Sequence, residues 1–110
     1  MTNGVLSKPR PVAGRADVLA ILQREEPAVR KYFATALYVY GSAARDELAP
    51  TSDIDLFIDY DRAGPFSFVE LIRLEKLLED LLGRPVDLAT RDGLHALLKD
   101  GIERSSIRVF

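Results

Sequence analysis

A chain of 110 residues with 47% apolar and 29% charged side chains has the size and make-up of one ordinary globular domain. Fifteen basic residues against seventeen acidic ones leave a net charge of −2, which is no electrostatic footprint for non-specific nucleic-acid binding, since that usually needs a basic face. The lack of cysteine and the lone histidine, His95, exclude disulfides, thiolate zinc, a thiol nucleophile and any multi-histidine centre, so a metal here would be a hard cation held by oxygens, such as Mg²⁺ or Mn²⁺.

Residues 1–14 hold Gly4, Pro9, Pro11 and Gly14, with little periodicity and no apolar signal-peptide core. They read as a flexible N-terminal segment ahead of a single domain over 15–110. Val18, Leu19, Ile21 and Leu22 recur at helical spacing and predict a helix over 15–25. Pro27 suits the first turn of a second short helix, 27–33, with Val29 and Phe33 inward. Leu37–Tyr40, aromatic, β-branched and stopped by Gly41, predicts a strand. Ala43, Ala44 and Arg45 then favour one helical turn, followed by a loop with Pro50 as its stop.

Asp53–Asp59 alternates strictly, with Ile54, Leu56 and Ile58 on one face and Asp53, Asp55, Phe57 and Asp59 on the other. That is a strand with one face in the core. Ser67 and Glu70 form a capping-box pattern, leucines from Leu71 to Leu82 make an apolar stripe, and Gly83 closes a helix over 67–82. Pro85–Ala89 predicts a third strand. Asp92 caps a helix at 93–103 with Leu94, Leu97, Leu98 and Ile102 inward, and Ile107–Phe110 makes a last short strand. The order predicts an α+β domain, a small sheet of three or four strands flanked by helices; pattern alone does not decide between a mixed and a parallel sheet. Arg62, Arg84 and His95 read as surface residues, Tyr38 and Tyr40 as sheet packing, and Asp59 and Asp61 as a solvated strand end. No apolar run approaches the ~18 residues of a membrane span, so a cytoplasmic protein without membrane contact is expected.

Chemistry concentrates in two neighbouring segments. Asp53 and Asp55 share one face of a strand about 6.5–7 Å apart, although aspartate is a poor strand residue. The aliphatic opposite face fixes their register, and the repulsion between them is relieved by a divalent cation. Just before them, Gly41 gives backbone room for a ligand, and the N–H groups opening the short helix, with Ser42 Oγ, form an anion cradle. Arg45 adds a positive charge about one turn later. Cradle and carboxylates are complementary to a triphosphate and its metal, the combination that two-metal phosphoryl and nucleotidyl transfer requires. Asp87, alternating outward between Val86 and Leu88, supplies the expected third carboxylate and a base for an attacking hydroxyl.

The segment GSAARDELAPTSDIDLFID, with Gly-Ser, ten residues and Asp-x-Asp, resembles the signature of DNA polymerase β-like nucleotidyltransferases. The short chain is similar to their minimal nucleotidyltransferase (MNT) group, the MntA-type antitoxins paired with HEPN toxins, over residues 15–105. The resemblance implies the small mixed sheet with flanking helices of that fold. It implies Ser42 on the β- and γ-phosphates with Gly41 giving room, two Mg²⁺ ions on Asp53 and Asp55, and Asp87 completing an acidic triad. It implies transfer of AMP from ATP to a tyrosine of a cognate HEPN RNase toxin, within a hetero-oligomer, as a type VII antitoxin. The sequence departs from the family pattern at Asp46, where glycine more often follows the arginine. Two alternatives remain at this level: a stoichiometric antitoxin that neutralises its toxin by contact alone, and a nucleotidyltransferase for a small molecule such as an antibiotic.

Overall fold

In the computed structural model, residues 11–110 are described. Helices α1 (Arg15–Arg24) and α2 (Glu26–Arg30, Pro27 in its first turn) lead into strand β1 (Ala34–Tyr40). The four-residue helix α3 (Gly41–Ala44) and a loop connect β1 to β2 (Ile54–Tyr60). Helix α4 (Phe68–Leu82) crosses to β3 (Val86–Thr90), a 3₁₀ turn spans Arg91–Gly93, and α5 (Lys99–Ser105) precedes the short β4 (Ile107–Arg108). The strands form one sheet in the order β3-β2-β1-β4. β1 runs antiparallel to β2 and β4, and β3 runs parallel to β2 across the α4 connection. The expected α+β domain is therefore a mixed four-stranded sheet.

One face of the sheet is the core. Ile54, Leu56 and Ile58 are fully buried with Val18 and Leu22 of α1 and Leu74, Leu78 and Leu82 of α4. The leucines recur every four residues, so one stripe of α4 covers the parallel strand pair. At the head of α4 the Ser67 backbone N–H donates to Glu70 Oε1 (3.1 Å), and Gly83 closes the helix with φ +68°. The same helix covers the outer edge of β3. Glu79 Oε2 accepts from the Val86 N–H and Glu75 Oε2 from the Leu88 N–H, each at 3.1 Å.

Several expectations need correction. The helix expected over 93–103 is instead the 3₁₀ turn, a non-helical stretch and α5. Leu94 is extended (ψ 143°) and buried, whereas Leu97 and Leu98 point outward, 88% and 60% exposed. Intrinsic propensity yields to a tertiary contact here, because Arg91 is pinned to β2 at the point where the helix would begin. Phe33 is not inward: it adopts φ +71° at the bend into β1 and is 38% exposed. Arg84, expected at the surface, is buried; Nη1 donates to Val12 O (2.9 Å), and Nη2 to Ser52 O (2.7 Å) and Ala49 O. The flexible segment expected over 1–14 lies largely outside the described residues, and within it Val12 is buried and donates its N–H to Leu82 O (3.0 Å).

Candidate active site

The other face of the sheet carries the polar residues. The pairing of Tyr40 with Asp55, and of Asp55 with Asp87, sets these three side by side across β1, β2 and β3. Below them Tyr38 stacks on Phe57 with ring centroids 4.6 Å apart, and Tyr40 tilts against the same ring at 5.8 Å. Phe57 is thus fully buried although it faces away from the main core.

Gly41 turns the chain out of β1 with φ +66°. A Cβ at this position would overlap Asp55 Oδ2, so both backbone and packing demand glycine. The chain then enters α3, where buried Ala43 and Ala44 anchor the turn and Ser42 is half-buried beside Gly41. Arg45 follows and is exposed, its Nε donating to Glu47 Oε1 at 2.8 Å. Asp46 takes φ +58°, a left-handed conformation that suits glycine. Its Oδ1 accepts the Arg15 N–H at the start of α1 (2.9 Å), so the aspartate ties the loop to a helix that has no other side-chain cap.

Asp53 precedes β2 and is exposed, Asp55 is half-buried, and Asp87 is exposed. The Asp55 carboxyl is raised above its ordinary value, first by burial, then by Asp87 and Asp53; Arg45 opposes this. The Tyr40 hydroxyl is pushed up to about 12 by burial and by the charges of Asp55 and Asp87, which keeps it a donor at neutral pH. The three acids are therefore electrostatically coupled. Among the described residues, however, no three acidic or histidine side chains are already gathered as a closed metal-binding set. Their oxygen donors, their mutual repulsion and the Cβ-free space above Asp55 fit a hard divalent cation.

Arg91 is a residue of this face that sequence reasoning missed. Its Nε and Nη2 grip Asp59 (2.7 and 3.0 Å), and its Nη1 reaches Glu103 of α5 (2.6 Å). The guanidinium also lies 4.8 Å from the Tyr38 ring centroid and 5.1 Å from that of Phe57. These bonds raise its pKa, and they clamp α5 to the same sheet face as the acids. The signal available in sequence was Asp59, two residues from Phe57 on the polar face, where a solvated end was expected. His95 is exposed, as expected.

The profile of the nucleotidyltransferase domain family matches residues 17–109. A candidate protein adenylyltransferase of Methanocaldococcus jannaschii is 38% identical over 96 residues, covering 86% of this chain and 96% of that one. The protein adenylyltransferase MntA of Thermococcus cleftensis is 32% identical over 93 residues, 84% of this chain and 88% of its own. Among solved structures, a candidate minimal nucleotidyltransferase superposes with a TM-score of 0.66 at 31% identity, covering 84% of this chain and 89% of that one. A chain in the structure of tri-AMPylated Shewanella oneidensis HEPN toxin in complex with MNT antitoxin shares the fold, with a TM-score of 0.60 at 16% identity over 84% of this chain and 71% of its own. None of the helices among the described residues is long and apolar enough to cross a membrane.

Proposed function

Because this chain belongs to the nucleotidyltransferase domain family, we propose that it transfers AMP from ATP to a protein hydroxyl, a tyrosine of a cognate HEPN toxin, and so acts as a cytoplasmic antitoxin. The observation that carries this reading is the strand register that sets Asp55 beside Asp87 and opposite the Gly41 bend. The adenylyltransferase names of the relatives and the toxin–antitoxin complex that shares the fold support the same substrate and partner.

Ser42 and the backbone N–H groups opening α3 hold the β- and γ-phosphates, with room made by Gly41. Arg45 turns from Glu47 toward them, a small cost because that surface pair is weak. Asp53, Asp55 and Asp87 would hold two Mg²⁺ ions, which when bound would neutralise the charge of the phosphates during transfer. Asp87 takes the proton of the acceptor hydroxyl. The hydroxyl oxygen forms a bond to the α-phosphorus as the bond to the bridging α,β-oxygen breaks, and pyrophosphate leaves on the Ser42 side. Tyr40, paired with Asp55 across the strands and protonated at neutral pH, stands beside the carboxylates without adding a charge to them.

The test is incubation with α-labelled ATP, Mg²⁺ and the product of the adjacent gene, which this reading expects to be a HEPN-domain protein. Label is expected on that protein, with its RNase activity lost; chelation of the metal, or Asp53→Asn with Asp55→Asn, abolishes both effects. Toxin inhibition that survives without label would make this chain an inhibitor by contact alone.

A further inference from the structure

The turn that carries Ser42 is too short to hold itself. Helix α3 has four residues, and a single helical turn is unstable on its own. What closes it lies just beyond. The chain takes a left-handed step at Asp46 (φ +58°), and that step sends two N–H groups back into the turn. The Asp46 N–H donates to Ala43 O (3.2 Å) and the Glu47 N–H to Ser42 O (2.8 Å), the paired closure that glycine usually makes at a helix end. The shorter bond falls on Ser42 itself.

The Cβ of an aspartate opposes this conformation, so its side chain has to compensate. Helix α1 is capped by Gly14, which has no side chain to offer. Asp46 Oδ1, 31 residues from Arg15, takes the Arg15 N–H instead (2.9 Å). Arg15 answers in the other direction. Its Nη1 donates to Ala44 O at the end of α3 (3.2 Å), a carbonyl of the kind a helix terminus leaves unpaired. Each helix thus satisfies an orphan group of the other, and unwinding α3 breaks both bonds. Helix α1 is itself anchored in the core by Val18 and Leu22, both fully buried. The turn is therefore tied to the rigid part of the molecule through Arg15 and Asp46.

We infer that Asp46 is a positioning residue for Ser42: with Arg15 it clasps the turn to α1 and fixes the serine before a triphosphate arrives. This rests on the nucleotidyltransferase reading and adds to it a residue that touches no reacting atom yet sets how well the nucleotide is held. Asp55 and Asp87 stand on strands outside the clasp, so the effect belongs to nucleotide binding and not to the transfer step.

The experiment compares Asp46→Gly, Asp46→Asn and Arg15→Met with wild type by thermal melts, by titration calorimetry with Mg²⁺–ATP, and by KM and kcat in the label-transfer assay. Asp46→Gly keeps the left-handed step and loses only the clasp, so its Tm should stay close to wild type. Its Kd and KM for ATP should rise roughly tenfold with kcat unchanged. Asp46→Asn accepts the same bond and suits the same conformation, so it should keep wild-type values. Arg15→Met removes the reverse bond alone and should raise KM by less. In a Ser42→Ala background Asp46→Gly should add little further loss, because the hydroxyl it positions is gone. Wild-type affinity in Asp46→Gly overturns the inference. So does a loss that Asp46→Asn shares, which would assign the effect to charge, or a loss fully additive with Ser42→Ala. A kcat that falls together with Tm would make the clasp structural only and also overturns it. If wild type binds no Mg²⁺–ATP, the nucleotidyltransferase reading falls and this inference with it; if it binds, only the clasp is in question.

Discussion

At Asp55 a single carboxylate pays for function. Burial, then Asp87 and Asp53, hold its pKa above the ordinary value. As pH rises from the ordinary value through the raised one, the folded chain must release a proton that the unfolded chain has already lost, so stability falls across that window. In metal-free buffer at pH 7, Asp55→Asn should therefore melt at a higher temperature than wild type. The difference should vanish below the ordinary aspartate range, where both states are protonated, and thermal melts across pH measure it. Mg²⁺ should raise the Tm of wild type and not of the variant. Much of this was legible in sequence, because strict alternation over 53–59 left the aspartates only one face to occupy. Asp46 was legible as a departure but not in its consequence: it occupies the left-handed conformation natural to glycine, and what it offers in exchange is a bond to the start of α1, 31 residues back in the chain.

Elements whose signal is local were readable, and those set by distant partners were not. Helix α4 carries its stripe, its cap and its closing glycine within its own span, and the structure follows them. The segment 91–98 is rich in helix formers, yet Arg91 is committed to Asp59, 32 residues away. Arg84 escaped for the same reason. Its acceptors lie 72, 35 and 32 residues distant, and together they tie the N-terminal segment and the loop before Asp53 to the turn between α4 and β3. Arg84→Ala would leave the buried Val12 carbonyl and the partly buried Ala49 and Ser52 carbonyls without this partner and should cost about 3 kcal/mol. Arg84→Lys retains the charge without the fork and should recover less than half of that loss. Denaturant unfolding checks both, and the alanine variant should also lose Mg²⁺-dependent stabilisation because the loop carrying Asp53 is released.

On the scale of the whole molecule, one sheet separates two tasks. Its aliphatic face holds α1 and α4, and its polar face holds the acids, the aromatic floor and α5. Composition and element order gave the fold class. The strand order did not follow from them, because the pairing of β4 with β1 depends on a return across the whole chain. That order is what puts Tyr40 and Asp87 on opposite sides of Asp55.

The bonds from Glu75 and Glu79 to the outer N–H groups of β3 have a consequence for colloidal behaviour. An uncovered outermost strand is a template on which another copy can dock through main-chain bonds and begin a fibre. Here two side chains of the same molecule already take the Val86 and Leu88 donors, so the β3 edge is a poor template for a neighbour. Replacing both by alanine should leave monomers that melt only modestly lower but cluster during storage, with rising light scattering and a signal from amyloid-sensitive dyes. Glutamine at both positions can still accept the two bonds and should keep the solution clear.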